Sequence, residues 1–246
     1  MMEHHDTCPR HPTCAQRRPE IFAEVAAAMP RVPALSDVGF LPWVGRDYGS
    51  GKLFPLLRIM IVGESHYEWC KKCETEKSKR DKDLTTYCIA ERMHRIGEPG
   101  HIQHWGKIEN AFLGKMPSAS ERRDFWHSVA YYNFLQEVVG FGPRIPVEPA
   151  LWTDARVHFP TVIESLRPDF IAVAGVGTWR ELPPANKLLD ALQAGGKTLE
   201  RRSYHLISGG HSIAGRIAHP SRGLGATWRP VLLEAMARID RTDNPQ

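Results

Sequence analysis

Two continuous apolar runs stand out in the chain, and a glycine-containing turn follows each of them. Residues 56–62 are apolar apart from Arg58 and lead into Gly63, and residues 170–174 lead into Gly175-Val176-Gly177. Apolar runs of this length without polar alternation are typical of strands buried on both faces of a parallel sheet. The pattern therefore predicts two central strands, each with a turn at its carboxyl end.

Segments with helical spacing alternate with these runs. A capping pattern at Ser118 and Ser120 predicts a helix over residues 120–140, which includes the segment VAYYNFLQ. Further helices are expected over residues 20–29, 152–166, 184–192 and 225–239, and short strands over residues 204–208 and 213–218. Strands that alternate with helices predict an α/β fold, a doubly wound three-layer sandwich around a mostly parallel central sheet.

Length and composition are typical of one globular domain with an extension and an insertion. The 246 residues are 42% apolar and 24% charged. We expect an N-terminal extension and helix packing on the core over residues 1–55, the main domain over residues 56–240, and a cysteine-containing insertion at residues 68–105. No apolar run approaches the roughly 20 residues that cross a bilayer, and the polar start lacks the apolar region of a secretory signal. These features predict a cytoplasmic protein.

Polar turns follow the first and the last of the expected strands. Gly63-Glu64-Ser65-His66-Tyr67 follows the first, and His219-Pro220-Ser221 follows the last. In open α/β sheets, ligands bind beyond the carboxyl ends of the strands. We therefore expect two turns that are distant in sequence to meet in one crevice.

Together with Asn133, these turns resemble the motifs of the uracil-DNA glycosylase superfamily. The segments V-G-E-S-H-Y, Y-Y-N-F-L-Q and H-P-S-R-G match that superfamily in order and placement over residues 56–239, with detailed similarity confined to the motifs. The resemblance implies a uracil-DNA glycosylase-like catalytic domain. It also implies a monofunctional DNA N-glycosylase that flips out and excises a damaged or modified pyrimidine and leaves an abasic site. Such an enzyme is expected to be a monomer that binds DNA, without a membrane and without a nucleotide cofactor.

The resemblance further implies a role for each matching residue. Ser65 stands where one branch of the superfamily has a catalytic Asp, and His66 stands where it has a proline. These departures leave the substrate open between uracil or another deaminated base, removed in repair, and a modified cytosine, removed in anti-phage defence. The expected catalytic residues are Glu64, Ser65 and His219; the base-binding residues are Gly63, His66, Tyr67 and Asn133; the DNA contacts are Ser221, Arg222 and Leu224, with Arg222 or Leu224 as the wedge that enters the duplex.

The residue types suit the chemistry of base excision. Cleavage of an N-glycosidic bond builds positive charge on the sugar and negative charge on the departing base. Glu64 would stabilise the sugar, and His219 would donate a hydrogen bond to a base carbonyl. The amide of Asn133 can pair with the edge of an extruded base through one donor and one acceptor.

Each of these residues also has an ordinary structural explanation. Glu64 and Ser65 could cap a following helix, and His219, Asn133 and Tyr67 could be packing residues. The Gly-Val-Gly turn lacks the third glycine of a dinucleotide loop, because Arg180 stands there, so a tight strand-to-helix turn is expected. For the whole protein, a non-catalytic reader of a modified base and a hydrolase of nucleosides or RNA are alternatives that use the same crevice.

The cysteines and the net charge add two further expectations. Cys70, Cys73 and Cys88 could bind a structural Zn²⁺, with the fourth ligand from Cys8, Cys14, His11 or His94. An iron–sulfur cluster and free thiols are the alternatives, and no cofactor is expected for catalysis. The net charge of +4 and the pI of about 8.8 are compatible with a polyanionic partner.

Overall fold

The structure is a computed structural model, and it describes residues 35–68, 82–94, 102–141 and 145–239. These residues form a mixed α/β fold. The strands are β1 Trp43–Val44, β2 Ile59–Gly63, β3 His66–Glu68, β4 Val129–Asn133, β5 Val138–Phe141, β6 Phe170–Ala174, β7 Lys187–Ala194, β8 Lys197–His205 and β9 His211–Ile217. The helices are α1 Leu84–His94, α2 Ile102–Leu113, α3 Ala119–Ser128, α4 Pro149–Leu166, α5 Val176–Glu181 and α6 Arg229–Ala237, with 3₁₀ turns at Pro220–Arg222 and Ala226–Trp228.

Seven of the strands form one sheet in the order β1-β4-β2-β6-β9-β8-β7. The four central strands β4, β2, β6 and β9 are parallel to one another, and β1, β8 and β7 are antiparallel to their neighbours. Strands β3 and β5 pair separately. The predicted strand at residues 170–174 is therefore confirmed, and the strand predicted at 56–62 begins only at Ile59, since Leu56 is exposed; the two are adjacent central strands.

Alternate residues of the central strands point into two apolar cores, one on each face of the sheet. Ile59 and Ile61 belong to the core that includes side chains of α1, α2, α3 and α6, whereas Met60 and Val62 belong to the core that includes side chains of α4 and α5. A strand covered on both faces has no solvated side, which explains the unbroken apolar run in the sequence. The helical layers fix the positions of the strand ends.

A buried charged network joins the three helices on one face. Glu109 of α2 has no exposed surface, and its carboxylate accepts hydrogen bonds from Arg92 of α1 at 2.9 and 2.7 Å and from Trp126 of α3 at 2.8 Å. Arg122 of α3 adds a fourth contact at 3.4 Å. Removing one partner from such a network leaves a buried charge unpaired. The network therefore fixes the position of α2 against α1 and α3.

Two helix predictions are wrong. The helix predicted over residues 120–140 ends at Ser128, and VAYYN is strand β4, although the capping box of Ser118 with Glu121 is present. The helix predicted over 184–192 is the first strand of a hairpin, β7–β8, closed by Gly195 and Gly196 at φ values of +56° and +70°. A two-residue turn with positive φ at both positions matches the twist of paired strands, and glycine adopts it without steric cost.

The remaining boundaries agree with the prediction in part. Residues 35–55 contribute β1 to the sheet and Trp43 and Val44 to the cores, while α1 and the first four residues of α2, 102–105, come from the expected insertion at 68–105. The helix predicted at 20–29 lies outside the described residues. Among the helices that the structure describes, none has the length and apolar character that crossing a bilayer would require.

Candidate functional site

The candidate site lies where the order of the parallel strands reverses. Along the chain the parallel strands follow as β2, β4, β6 and β9, but in space β4 lies on one side of β2, and β6 and β9 lie on the other. The connection from β2 to β4 covers one face of the sheet and the connection from β4 to β6 covers the other, the topology that places a crevice beyond the carboxyl ends of the strands where the order reverses. Glu64 follows β2, Asn133 ends β4, and His219 follows β9, so all three lie at this edge of the sheet.

The Gly-Val-Gly turn after β6 lies between the two polar turns. A β-carbon at Gly177 would lie 3.2 Å from Oε2 of Glu64, and a β-carbon at Gly175 would lie 3.3 Å from Cδ2 of His219. Glu64 and His219 therefore border the same short turn from two sides. The predicted strand-to-helix turn is confirmed, since β6 ends at Ala174 and α5 begins at Val176.

His219 is held as a specific tautomer by its own turn. The backbone N–H of Ser221 donates to Nδ1 of His219 at 3.2 Å, and the Ser221 hydroxyl lies 2.7 Å from the same nitrogen. A nitrogen that accepts from a backbone N–H carries no proton, so the neutral ring has its hydrogen on Nε2. Nε2 makes no hydrogen bond with the described residues, which leaves it available to donate into the crevice.

Burial and neighbouring charges set the protonation state of His219. Burial lowers the pKa of His219 below its ordinary value, the carboxylate of Glu64 raises it, and the cations Arg222 and Lys107 lower it further, with a net decrease. The ring is therefore neutral near pH 7, the form that can both accept at Nδ1 and donate at Nε2.

Asn133 is buried and its amide is oriented by a tyrosine. The hydroxyl of Tyr131 donates to Oδ1 of Asn133 at 3.1 Å, and Asn133 is 2% exposed. Strand register pairs Asn133 with Gly63, and a β-carbon at Gly63 would collide with both the Tyr131 hydroxyl and Oδ1 of Asn133. Only glycine fits there, and Nδ2 of Asn133 makes no hydrogen bond with the described residues.

The backbone after Asn133 is fixed by Gln136. Its amide donates to the carbonyl of Asn133 at 2.7 Å and accepts from the backbone N–H of Phe40 at 2.9 Å. The backbone N–H of Leu135 also donates to the carbonyl of Glu64 at 2.9 Å. These bonds join the segment after β4 to the segment after β2. They therefore fix the backbone positions of Asn133 and Glu64 relative to each other.

His66 and Ser65 have different surroundings from Glu64. The ring of His66 is 8% exposed; its Nε2 lies 3.0 Å from the hydroxyl of Thr85, and the ring packs edge-on against Phe40 at 5.0 Å. These contacts direct His66 toward α1. The hydroxyl of Ser65 is buried and has no hydrogen-bond partner among the described residues. Residues 66–68 form a strand, so the expectation that Glu64 and Ser65 cap an immediately following helix is wrong.

The residues expected to contact DNA divide into exposed and buried ones. Ser221 and Arg222 are exposed on the 3₁₀ turn after His219. Leu224 is 3% exposed and packs in the core, so in this conformation Arg222 is the wedge candidate that reaches solvent. For Tyr67 the structure describes the backbone in β3 alone.

Some of the expected metal ligands belong to the residues that the structure describes, and others do not. Cys70, Cys73, Cys8, Cys14 and His11 lie outside the described residues. Cys88 lies on α1, with its sulfur 4.0 Å from Nδ1 of His66. The ranges that the structure describes contain no group of three potential metal ligands, and the zinc site stays a prediction.

Two residues of α2 act on His219, one by contact and one by its charge, and were missed in the sequence. The ring of His104 lies 5.7 Å from the ring of His219, at an interplanar angle of 65°. Lys107, one turn further along α2, acts electrostatically on both imidazoles. Neither residue belongs to a motif, and α2 itself was not predicted, so no local signal pointed to them.

In chemical terms, the site combines a carboxylate, a neutral imidazole donor and a buried amide around a glycine turn. This set can stabilise positive charge at one point and a developing anion at another. Comparison with protein-family models and with curated protein sequences found no match to this chain.

Proposed function

We propose that the protein is a monofunctional DNA N-glycosylase with a doubly wound, uracil-DNA glycosylase-like fold, and that the crevice is its active site. The observation that carries this proposal is the position of Glu64 and His219 on either side of the Gly175-Val176-Gly177 turn. The order of the motifs along the chain supports it as well. A carboxylate and a neutral donor facing one space suit a reaction that separates charge.

In the proposed reaction, the bond between the base and the C1′ carbon of the sugar breaks, and the base leaves with the bonding electron pair. Positive charge on the sugar is stabilised by the Glu64 carboxylate, and negative charge on the base is stabilised by the N–H at Nε2 of His219. Water supplies the hydroxyl group of the abasic sugar, and its proton balances the charge of the released base. Ser65 replaces an acidic residue in the first motif, so Glu64 is the carboxylate that orients this water.

Base recognition would depend on Asn133. The Tyr131 hydroxyl donates to Oδ1, which turns the amide so that the N–H groups of Nδ2 are available to a ligand. Donors at Nδ2 of Asn133 and at Nε2 of His219 match a base with carbonyl oxygens at two positions. Uracil and pyrimidines derived from it fit this pattern better than cytosines with an unmodified amino group.

The test is base release from labelled single- and double-stranded oligonucleotides that carry uracil, deaminated purines, or 5-hydroxymethyl or glucosylated cytosine. We expect release of a pyrimidine base and an alkali-labile abasic product, without strand cleavage before alkali. Tight binding of a modified base with no release from any substrate would instead support a reader. Release from free nucleosides or RNA with none from DNA would support the alternative hydrolase.

A further inference from the structure

Helix α2 forms a wall of the crevice that the motifs do not include. It packs against the 3₁₀ turn Pro220–Arg222 that carries the hydrogen-bond partner of His219. From this helix the His104 ring contacts the His219 ring edge-on at a centroid distance of 5.7 Å. On the opposite side, Cδ2 of His219 faces Gly175. The His219 ring is therefore bounded by a second imidazole and by a glycine.

The position of α2 is fixed by buried contacts on its other side. Glu109 accepts hydrogen bonds from two other helices, as described above. Trp105 packs edge-on against Trp126 at 5.4 Å and against Tyr131 at 4.9 Å. Residues three or four apart on a helix share a face. Trp105 and Glu109 therefore anchor one face of α2 in the core, and His104 and Lys107 lie together on another face, the one from which His104 contacts His219.

We propose that His104 and Lys107 are positioning residues of the site: the His104 ring fixes the orientation of the His219 imidazole, and the Lys107 ammonium, one turn further along the same helix, opposes a second proton on that imidazole. This inference rests on the proposed function for its catalytic consequence. The effect on the protonation of His219 can be measured without any substrate.

The charges around His219 come from three elements. Glu64, after β2, favours the protonated ring; Arg222, on the 3₁₀ turn, and Lys107, on α2, disfavour it. His104 is itself neutral, because burial, His219 and Lys107 lower its pKa to about 3. A proton on Nδ1 of His219 would also remove the acceptor that the Ser221 N–H uses. Lys107 and Glu64 therefore act on His219 in opposite directions.

The first experiment is a pH titration of the His219 ring by ¹⁵N NMR in the full-length protein, with His219→Asn used to assign the signal. Lys107→Met should raise the pKa of His219, Lys107→Arg should leave it near the wild-type value, and Glu64→Gln should lower it. A His219 pKa that is the same in Lys107→Met and wild type would overturn the role of Lys107. So would a Lys107→Arg protein that behaves like Lys107→Met.

The second experiment measures single-turnover base release as a function of pH. Protonation at Nδ1 breaks the hydrogen bond from the Ser221 N–H that orients the His219 ring, so activity falls as pH decreases through the pKa of His219. Lys107→Met should move this acidic limit to higher pH. His104→Ala should slow release about tenfold, and His104→Phe, which keeps an edge-on ring, should restore most of the rate. Equal rates in His104→Ala and wild type would overturn the role of His104. If wild type releases no base at all, the proposed function fails, and the NMR result still decides the electrostatic part.

Discussion

Polar groups at the amino ends of the parallel strands bind one another, whereas those at the carboxyl ends border a crevice. Before β6, the Asp169 carboxylate accepts from the backbone N–H of Arg58 at 2.6 Å and from its guanidinium at 2.9 Å. Nearby, Glu164 accepts from the backbone N–H groups of Ile207 and Ser208 at 2.7 and 2.9 Å. The Asp169 carboxylate joins the residues that precede β6 and β2, and the Glu164 carboxylate joins α4 to the loop that precedes β9.

The carboxyl ends carry similar chemical groups with a different arrangement. Nε2 of His219 and Nδ2 of Asn133 make no hydrogen bond with the described residues, and the hydroxyl of Ser65 is buried without a partner among them. Leaving polar groups without protein partners costs stability. Buried groups without a hydrogen-bond partner among the described residues also occur at the amino ends, on His127 and Ser212, so the groups at the carboxyl ends differ in that they border the proposed site. Substitutions at the two ends should therefore differ in kind: loss of activity at one and loss of stability at the other.

The largest expected effect is at Glu64. Glu64→Gln keeps the size of the side chain and removes its charge, so base release should slow about 1,000-fold while the thermal unfolding midpoint stays near wild type. Glu137→Gln, at an exposed position in the segment after β4, is the matched control and should retain full activity. Single-turnover kinetics and a thermal melt check both variants. Equal activity in the two variants would contradict a catalytic role for Glu64 at the carboxyl end of the sheet.

The next effect is at His219. His219→Ala removes the donor to the departing base, so release should slow about 100-fold with binding of the substrate largely retained. Measured binding of an uncleavable oligonucleotide separates the two quantities. If binding is lost in proportion to the rate, His219 is a binding residue alone.

At the amino end, Asp169→Ala should act on stability. It leaves Arg58 without its carboxylate partner, and the free energy of unfolding should fall by about 2 kcal/mol. Base release per folded molecule should be unchanged. Asp190→Ala, at an exposed position on β7, is the control and should change stability little. Urea denaturation measures the difference, and a wild-type midpoint for Asp169→Ala would contradict the structural role.

A smaller effect is expected at Tyr131, which orients the amide of Asn133. Tyr131→Phe removes one neutral hydrogen bond, so release should slow about fivefold and discrimination between bases should weaken. Tyr132→Phe is a close control, because the Tyr132 hydroxyl points into the other core and has no partner among the described residues. Competition between two substrates in one reaction gives the discrimination directly. Identical discrimination in both variants would show that the amide is held by something else.

The smallest effect concerns pH and stability. Burial lowers the pKa of His104 to about 3, below the value of about 6.5 expected in the unfolded chain. The unfolded state therefore binds more protons between these values, and the stabilisation from neutral His104 decreases as pH falls from about 6.5 toward 3. Thermal melts at pH 7 and pH 5 should show a smaller difference in His104→Phe than in wild type. An unchanged difference would assign the acid sensitivity to other groups.

Much of the central sheet could be predicted from the sequence, because strands buried on both faces leave unbroken apolar runs. VAYYN was assigned wrongly, since a short apolar run beside a capped helix fits either element, and pairing with β2 decides the outcome. Leu188, Leu189 and Leu192 are spaced as on a helix, yet Gly195-Gly196 and pairing with β8 make this segment a strand. Local patterns do not contain these tertiary contacts.

The candidate site was also predicted only in part, because some of its residues belong to sequence motifs and others are brought there by tertiary contacts. Glu64 and His219 belong to recognisable turns at strand ends, and the strand order brings those turns together. His104 and Lys107 come from a helix without a motif, and Tyr131 was an ordinary aromatic residue until the register placed its hydroxyl beside Asn133. Burial also decided between Arg222 and Leu224 as the exposed residue, which the sequence H-P-S-R-G-L could not.

The most direct test of the central claim compares both ends of the sheet in one assay. Single-turnover release of the preferred base should be measured for wild type, Glu64→Gln, His219→Ala and Asp169→Ala, with each rate divided by the folded fraction. If the active site lies in the crevice, Asp169→Ala should have the wild-type rate, and the two crevice variants should lose about 1,000-fold and about 100-fold. Rates in the crevice variants equal to that of Asp169→Ala would contradict an active site at the carboxyl ends of the strands.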